Sequence, residues 1–150
     1  FGEERNYKKI SNSIVRFSKK NNMNTTFDLK EAITKAISYK TNMNKIFSRV
    51  FQSIRIEVNQ EFQNINKMIE SLPKRMKAGG KILWITFHSL EDRLIKKSTF
   101  KLDGKEIITT NGKKKIKLIS RKVIRPSRRE ILSNKRSRSA KLRGLTILEC

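Results

Sequence analysis

Six residues, Ile82-Leu83-Trp84-Ile85-Thr86-Phe87, run without a charge between Gly79-Gly80 and His88, and they limit the possible folds more than any other stretch. A run this short cannot span a membrane, which takes about 20 residues. It has the length of a strand. Its polarity does not alternate, as expected for a strand in a parallel sheet with both faces covered by helices. Lys77-Ala78-Gly79-Gly80 reads as the turn leading into a strand over Lys81–Phe87. After it come the single histidine of the chain, His88, and then Ser89, Glu91, Asp92 and Arg93. Ser89 is placed to cap a helix whose first turn holds Glu91 and Asp92, where the helix dipole favours acids. Helix, glycine turn, buried strand and helix together predict an α/β fold.

Upstream the periodicity is helical. Tyr7, Ile10, Ile14 and Phe17 predict an amphipathic helix within residues 3–19. Thr25, with Asp28 three positions on, predicts the capped start of a second helix, whose apolar face (Leu29, Ala32, Ile33, Ala36, Ile37) ends near residue 38. Apolar residues from Phe47 to Leu72 recur every three or four positions and predict one long helix over residues 45–72. Downstream, Asp103-Gly104 and Asn111-Gly112 read as hairpin turns. Residues 115–124 read as a strand, 126–143 as an arginine- and serine-rich loop, and 145–149 as a last short strand. A helical subdomain over residues 1–72 and a core over 73–150 are the expected division.

Charge points to the partner. Lys and Arg number 36 against 13 Asp and Glu, a net charge of +23, which favours a polyanion such as RNA or DNA. Residues 113–143 alone hold fourteen basic residues and one acid, Glu130. Arginine, whose planar fork matches phosphate, is concentrated there. One cysteine, Cys150, cannot close an internal disulfide, and no Cys/His spacing suits a metal, so a reducing, cytoplasmic setting is expected, with no metal and no membrane span. The chain begins at Phe1, which suggests processing or a piece of something longer.

Ligands of open α/β sheets sit beyond the carboxyl ends of the strands, where His88, Ser89 and Glu91 fall. On the residues alone two readings of His88 stand: part of a site, or a histidine that only caps the helix. Arg49 and Arg55 in the long helix are RNA contacts or members of a solvated face. Gly79-Gly80 lacks the glycine pattern of a nucleotide loop.

Four separated stretches in order, FGEER, FQSIRIEVNQE, FHSLEDR and NKRSRSAKLR, resemble the bacterial 16S rRNA cytidine-N4 methyltransferase family (RsmH/MraW), in its carboxyl-terminal half only. The resemblance implies a class I, Rossmann-like methyltransferase with an inserted helical RNA-recognition subdomain, its sheet incomplete in this chain. It implies S-adenosylmethionine as methyl donor, held by glycine-rich and acidic elements upstream of Phe1, so the chain alone is expected to be inactive and to need the missing amino-terminal half. The 16S rRNA of the small ribosomal subunit is the implied partner. His88, Ser89 and Glu91 would then lie near the reacting base, and Asp92 would pair locally with Arg93 or Arg55. Arg49, Arg55, Arg136, Arg138, Lys141 and Arg143 would contact RNA. Where the family shows a His-Pro-Ala-Thr-like start to the long helix, this chain has Lys45-Ile46-Phe47-Ser48. A non-catalytic rRNA-binding scaffold derived from the family is the alternative.

Overall fold

The computed structural model describes residues 3–37, 42–109 and 112–149. They fall into two compact units, residues 1–60 and 61–150.

The first unit is helical: α1 (Tyr7–Lys20), α2 (Thr26–Ala36) and α3 (Met43–Val58). Ile10, Ile33, Ile37, Ile46 and Val50 form its buried centre, with Ile14, Leu29 and Phe47 packed around them. The start of α2 follows the sequence closely: Thr25 Oγ1 accepts the Asp28 N–H at 3.2 Å, and Asp28 Oδ2 accepts the Thr25 N–H at 2.8 Å. This reciprocal box satisfies donors that the first helical turn leaves over. Ser38, where α2 was expected to end, lies outside the described residues.

The predicted long helix is two helices. α3 stops at Val58, and Gln60 takes a left-handed φ of 50°, which no helix interior accommodates. α4 (Glu61–Arg75) then begins the second unit. Periodicity missed the break because apolar spacing resumes beyond it. Val58, which the pattern assigned to the packed face, is 74% exposed.

The second unit packs α4 and α5 (Ser89–Leu102) on a four-stranded sheet in the order β1 (Lys81–Thr86), β4 (Lys141–Glu149), β3 (Gly112–Leu118), β2 (Glu106–Thr109). Ile82, Trp84, Ile116, Leu118, Leu145 and Ile147 face Ile69 of α4 and Ile95 of α5. The α/β reading holds, but each described strand pairing is antiparallel, including that of β1 with β4. The expectation that β1 is buried on both faces in a parallel sheet is corrected in the same place. Burial alternates along β1, and Leu83, Ile85 and Phe87 are 56%, 64% and 56% exposed, because both helices lie on the other face. β1 is also the outermost strand.

Three smaller corrections concern turns. Asp103-Gly104 ends α5 and does not turn a hairpin: Asp103 Oδ1 accepts the Leu118 N–H at 2.9 Å, and Gly104 has φ 78°. β2 and β3 do form an antiparallel pair, with Thr109 opposite Gly112, while Asn111 lies outside the described residues. The strand expected over 115–124 stops at Leu118, leaving Ile124 in a single bridge to Leu142. The expected arginine loop contains a short helix, α6 (Arg128–Ser133), and a 3₁₀ turn, Lys135–Ser139.

Candidate base-recognition site

The passage from β1 into α5 is made by His88 and Ser89, without glycine. His88, and not the expected Ser89, is the capping residue: it is extended (φ −130°, ψ 159°) and its Nδ1 accepts the Glu91 N–H at 3.3 Å. Ser89 is the first helical residue and is exposed. The ring's other nitrogen, Nε2, lies 2.8 Å from Glu91 Oε1, but the approach is off the N–H direction, and Nε2 is buried without a hydrogen-bond partner among the described residues. Proximity without alignment makes this an electrostatic contact rather than a formed hydrogen bond.

Glu61, unmarked by the sequence, joins them. One donor atom of each of Glu61, His88 and Glu91 lies within 4.8 Å of the others. Two helix starts converge here, that of α4 carrying Glu61 and that of α5 carrying Glu91. Each start favours a carboxylate through its unpaired N–H groups and dipole. Farther along, Ser98 Oγ donates to Asn66 Oδ1 at 3.1 Å and ties α5 to α4. These three residues are the described group able to hold a metal ion. The only signal for Glu61 was the polar Asn59-Gln60 pair, which marks a break and so makes Glu61 a first-turn acid.

Asp92 anchors the start of α5 to the sheet. Its Oδ1 accepts Arg143 Nε at 2.7 Å, and its Oδ2 accepts Arg143 Nη2 at 3.3 Å and Lys141 Nζ at 3.4 Å. The expected local pairing with Arg93 or Arg55 is replaced by this reach to β4. Burial pushes the Asp92 carboxyl up, but the Arg143 hydrogen bonds and charge, followed by those of Lys141, outweigh it and hold the group below its ordinary value. Arg143, expected at the RNA surface, has only 8% of its side chain exposed, because it is committed to Asp92. Lys141 is half-buried in the same network.

The remaining predicted RNA contacts are dispersed. Arg136 and Arg138 are exposed on the 3₁₀ turn that leads into β4. Arg49 and Arg55 are exposed on α3, in the first unit. Arg49 Nη1 donates to Glu4 Oε2 at 3.2 Å. Burial acts to raise the Glu4 carboxyl, while the Asn6 backbone N–H and Arg49 lower it further and win.

No described glycine cradles a ligand beside this site. Gly79 and Gly80 are engaged with β4: Gly79 N–H donates to Ile147 O at 2.8 Å, and Ile147 N–H donates to Gly80 O at 2.9 Å. A Cβ on Gly80 would stand 2.8 Å from Lys77 O, so that glycine answers a backbone crossing.

Comparison with known proteins gives a consistent neighbourhood. The model of the MraW methylase family matches residues 1–148. A protein of Hydrogenobaculum sp. named ribosomal RNA small subunit methyltransferase H is 43% identical over 143 residues, covering 95% of this chain and 45% of the relative. Proteins of the same name from Ehrlichia ruminantium and Wigglesworthia glossinidia brevipalpis are 43% and 42% identical, each over 49% of its own length. The chain thus spans about half the length of the curated relatives it matches. Among the described residues no helix is long and apolar enough to cross a membrane. With a match running almost end to end, the chain belongs to the MraW methylase family.

Proposed function

We propose that the chain is the carboxyl-terminal part of an S-adenosylmethionine-dependent methyltransferase that modifies the N4 amine of a cytidine in 16S rRNA of the small ribosomal subunit, in the cytoplasm. The observation that carries this reading is convergence. FQSIRIEVNQE contributes Glu61, FHSLEDR contributes His88, Glu91 and Asp92, and the AKLR segment contributes Lys141 and Arg143, all around the first turn of α5. A cytosine amine is a weak nucleophile because its lone pair is shared with the ring. A site must therefore orient it and accept its hydrogens, and positioned carboxylates do both. Arg136 and Arg138 supply phosphate contacts, which fix register without reading sequence. Arg49 and Arg55, on the helices of residues 1–72, serve the RNA-recognition subdomain.

The described residues do not fit the methyl donor: the strand-to-helix turn has no glycine, and Gly79-Gly80 is occupied by β4. The donor is therefore assigned to the part of such an enzyme that this chain does not match, whose strands would add to the edge of β1 and whose helices would cover Leu83, Ile85 and Phe87. The same lack of a donor cradle favours a second reading, a non-catalytic rRNA-binding scaffold.

The test has two arms. The whole protein is incubated with unmodified small subunits and methyl-labelled S-adenosylmethionine, and the digested RNA is analysed by nucleoside mass spectrometry. N4-methylcytidine is the expected product; an unmodified RNA, or a methyl group on another base, overturns the enzymatic reading. In the second arm S-adenosylmethionine is titrated calorimetrically into this chain alone. Saturable binding would overturn the assignment of the donor site elsewhere.

A further inference from the structure

The hydrogen-bonding pattern of Glu61, His88 and Glu91 constrains what can sit on them. His88 Nδ1 uses its lone pair on the Glu91 N–H. In a neutral imidazole that leaves the ring hydrogen on Nε2. Nε2 is buried and lacks an aligned acceptor among the described residues, which is a costly state for a donor. A metal ion does not resolve it. An imidazole that ligates through Nε2 carries its hydrogen on Nδ1, where it would face the Glu91 N–H head-on and break the cap of α5. The cluster therefore presents one buried donor between two carboxylate acceptors.

We propose that this trio reads the Watson–Crick edge of cytosine, with Glu61 as an additional base-reading residue; the inference rests on the methyl-transfer reading above. Cytosine offers a ring-nitrogen acceptor, N3, directly beside an amino group, N4. His88 Nε2–H donates to N3, and Glu91 and Glu61 accept the two N4 hydrogens, the pairing of carboxylate with cytosine amine that base recognition uses elsewhere. Uracil inverts both partners. Its N3–H would face the His88 N–H, and its O4 would face the carboxylates. A polar site that leaves its own groups unpaired against the wrong ligand discriminates strongly, by far more than an apolar pocket does.

The experiment measures preference rather than strength. Fluorescein-labelled RNA oligonucleotides carrying one cytidine or one uridine at the target position are titrated into the whole protein by fluorescence anisotropy, for wild type, Glu61→Gln and Glu61→Asp. Wild type should bind the cytidine form about 100-fold more tightly, Glu61→Asp should keep most of that ratio, and Glu61→Gln should bring it within about threefold. A purely structural Glu61 would weaken both ligands equally, so an unchanged ratio in Glu61→Gln overturns the proposal. If Glu61→Gln does not fold, the wild-type ratio decides, and a value near one overturns the proposal. Loss of the preference with EDTA and its return with zinc or magnesium overturns it in favour of a metal site. The methylation assay above is read separately. A protein that prefers cytidine without methylating it would refute the methyl-transfer reading and leave the base-reading trio standing.

Discussion

Removing the Asp92 carboxylate should destabilise the second unit by about 3–5 kcal/mol, the cost of leaving one member of a buried ion pair without its partner. The magnitude follows from what remains. Arg143, only 8% exposed, would lose both hydrogen bonds to Asp92, and Lys141 would lose its own contact with the same carboxylate. Asp92→Asn keeps an acceptor and removes the charge, so it should cost less, about 1.5–3 kcal/mol. Trp84 is the reporter. It is the only tryptophan, it is buried, and it lies directly across from Arg143 in the β1–β4 register. Urea titrations followed by its fluorescence should show a lower midpoint at an unchanged slope. Replacing both partners by apolar residues, Asp92→Leu with Arg143→Met, should recover most of the loss, since the penalty lies in the stranded charge. The sign with pH is fixed by the lowered folded value of Asp92. Its contribution is complete above the unfolded value, about 4, and is lost as pH falls through the folded value, so wild type and Asp92→Asn should converge in acid. A cost below 1 kcal/mol for Asp92→Ala at neutral pH, or additive single and double variants, would refute the argument.

Three further outcomes follow from the same structure. Gly144→Ala places a Cβ 2.6 Å from Leu83 Cδ2, 2.7 Å from Ile119 Cδ1 and 3.0 Å from the Ile82 carbonyl oxygen, so it should lower stability by about 1–3 kcal/mol in the same titration. Leu83→Lys with Ile85→Lys, on the bare face of β1, should keep the isolated chain monomeric in sedimentation experiments where wild type self-associates; equal behaviour of the two would show that this face is not the sticky one. Arg136→Ala with Arg138→Ala should reduce the slope of log affinity against log salt for RNA by about 1–2, and an identical slope would remove both from the phosphate contacts.

Local signals were legible and distant ones were not. Thr25 with Asp28 announced the α2 cap because both partners lie within one turn. The strand at Ile82 was legible from its run of apolar residues, but its place in the sheet was not. Two covered faces and one bare face produce the same text when the covering elements lie outside the segment. The break at Gln60 was hidden by a period that resumes in α4, and with it the role of Glu61. At the site, His88 and Glu91 could be named from their position after a strand, while the choice of His88 over Ser89 as cap depended on a ring orientation. The true partner of Asp92 sits 51 residues away, beyond any spacing rule.

The strand order also sets a timetable. β4 lies between β1 and β3, so β1 has no described neighbour until residues 141–149 are made; Thr86 waits for Lys141, 55 positions later. During synthesis the β2–β3 ribbon can close at once, whereas the tryptophan-bearing segment must remain unzipped, with His88 and Glu91 unmoored from Arg143. Such long-range closure is slow and leaves sticky intermediates, so the nascent protein depends on chaperone cover through this interval, and truncation before residue 141 abolishes the site as well as the sheet.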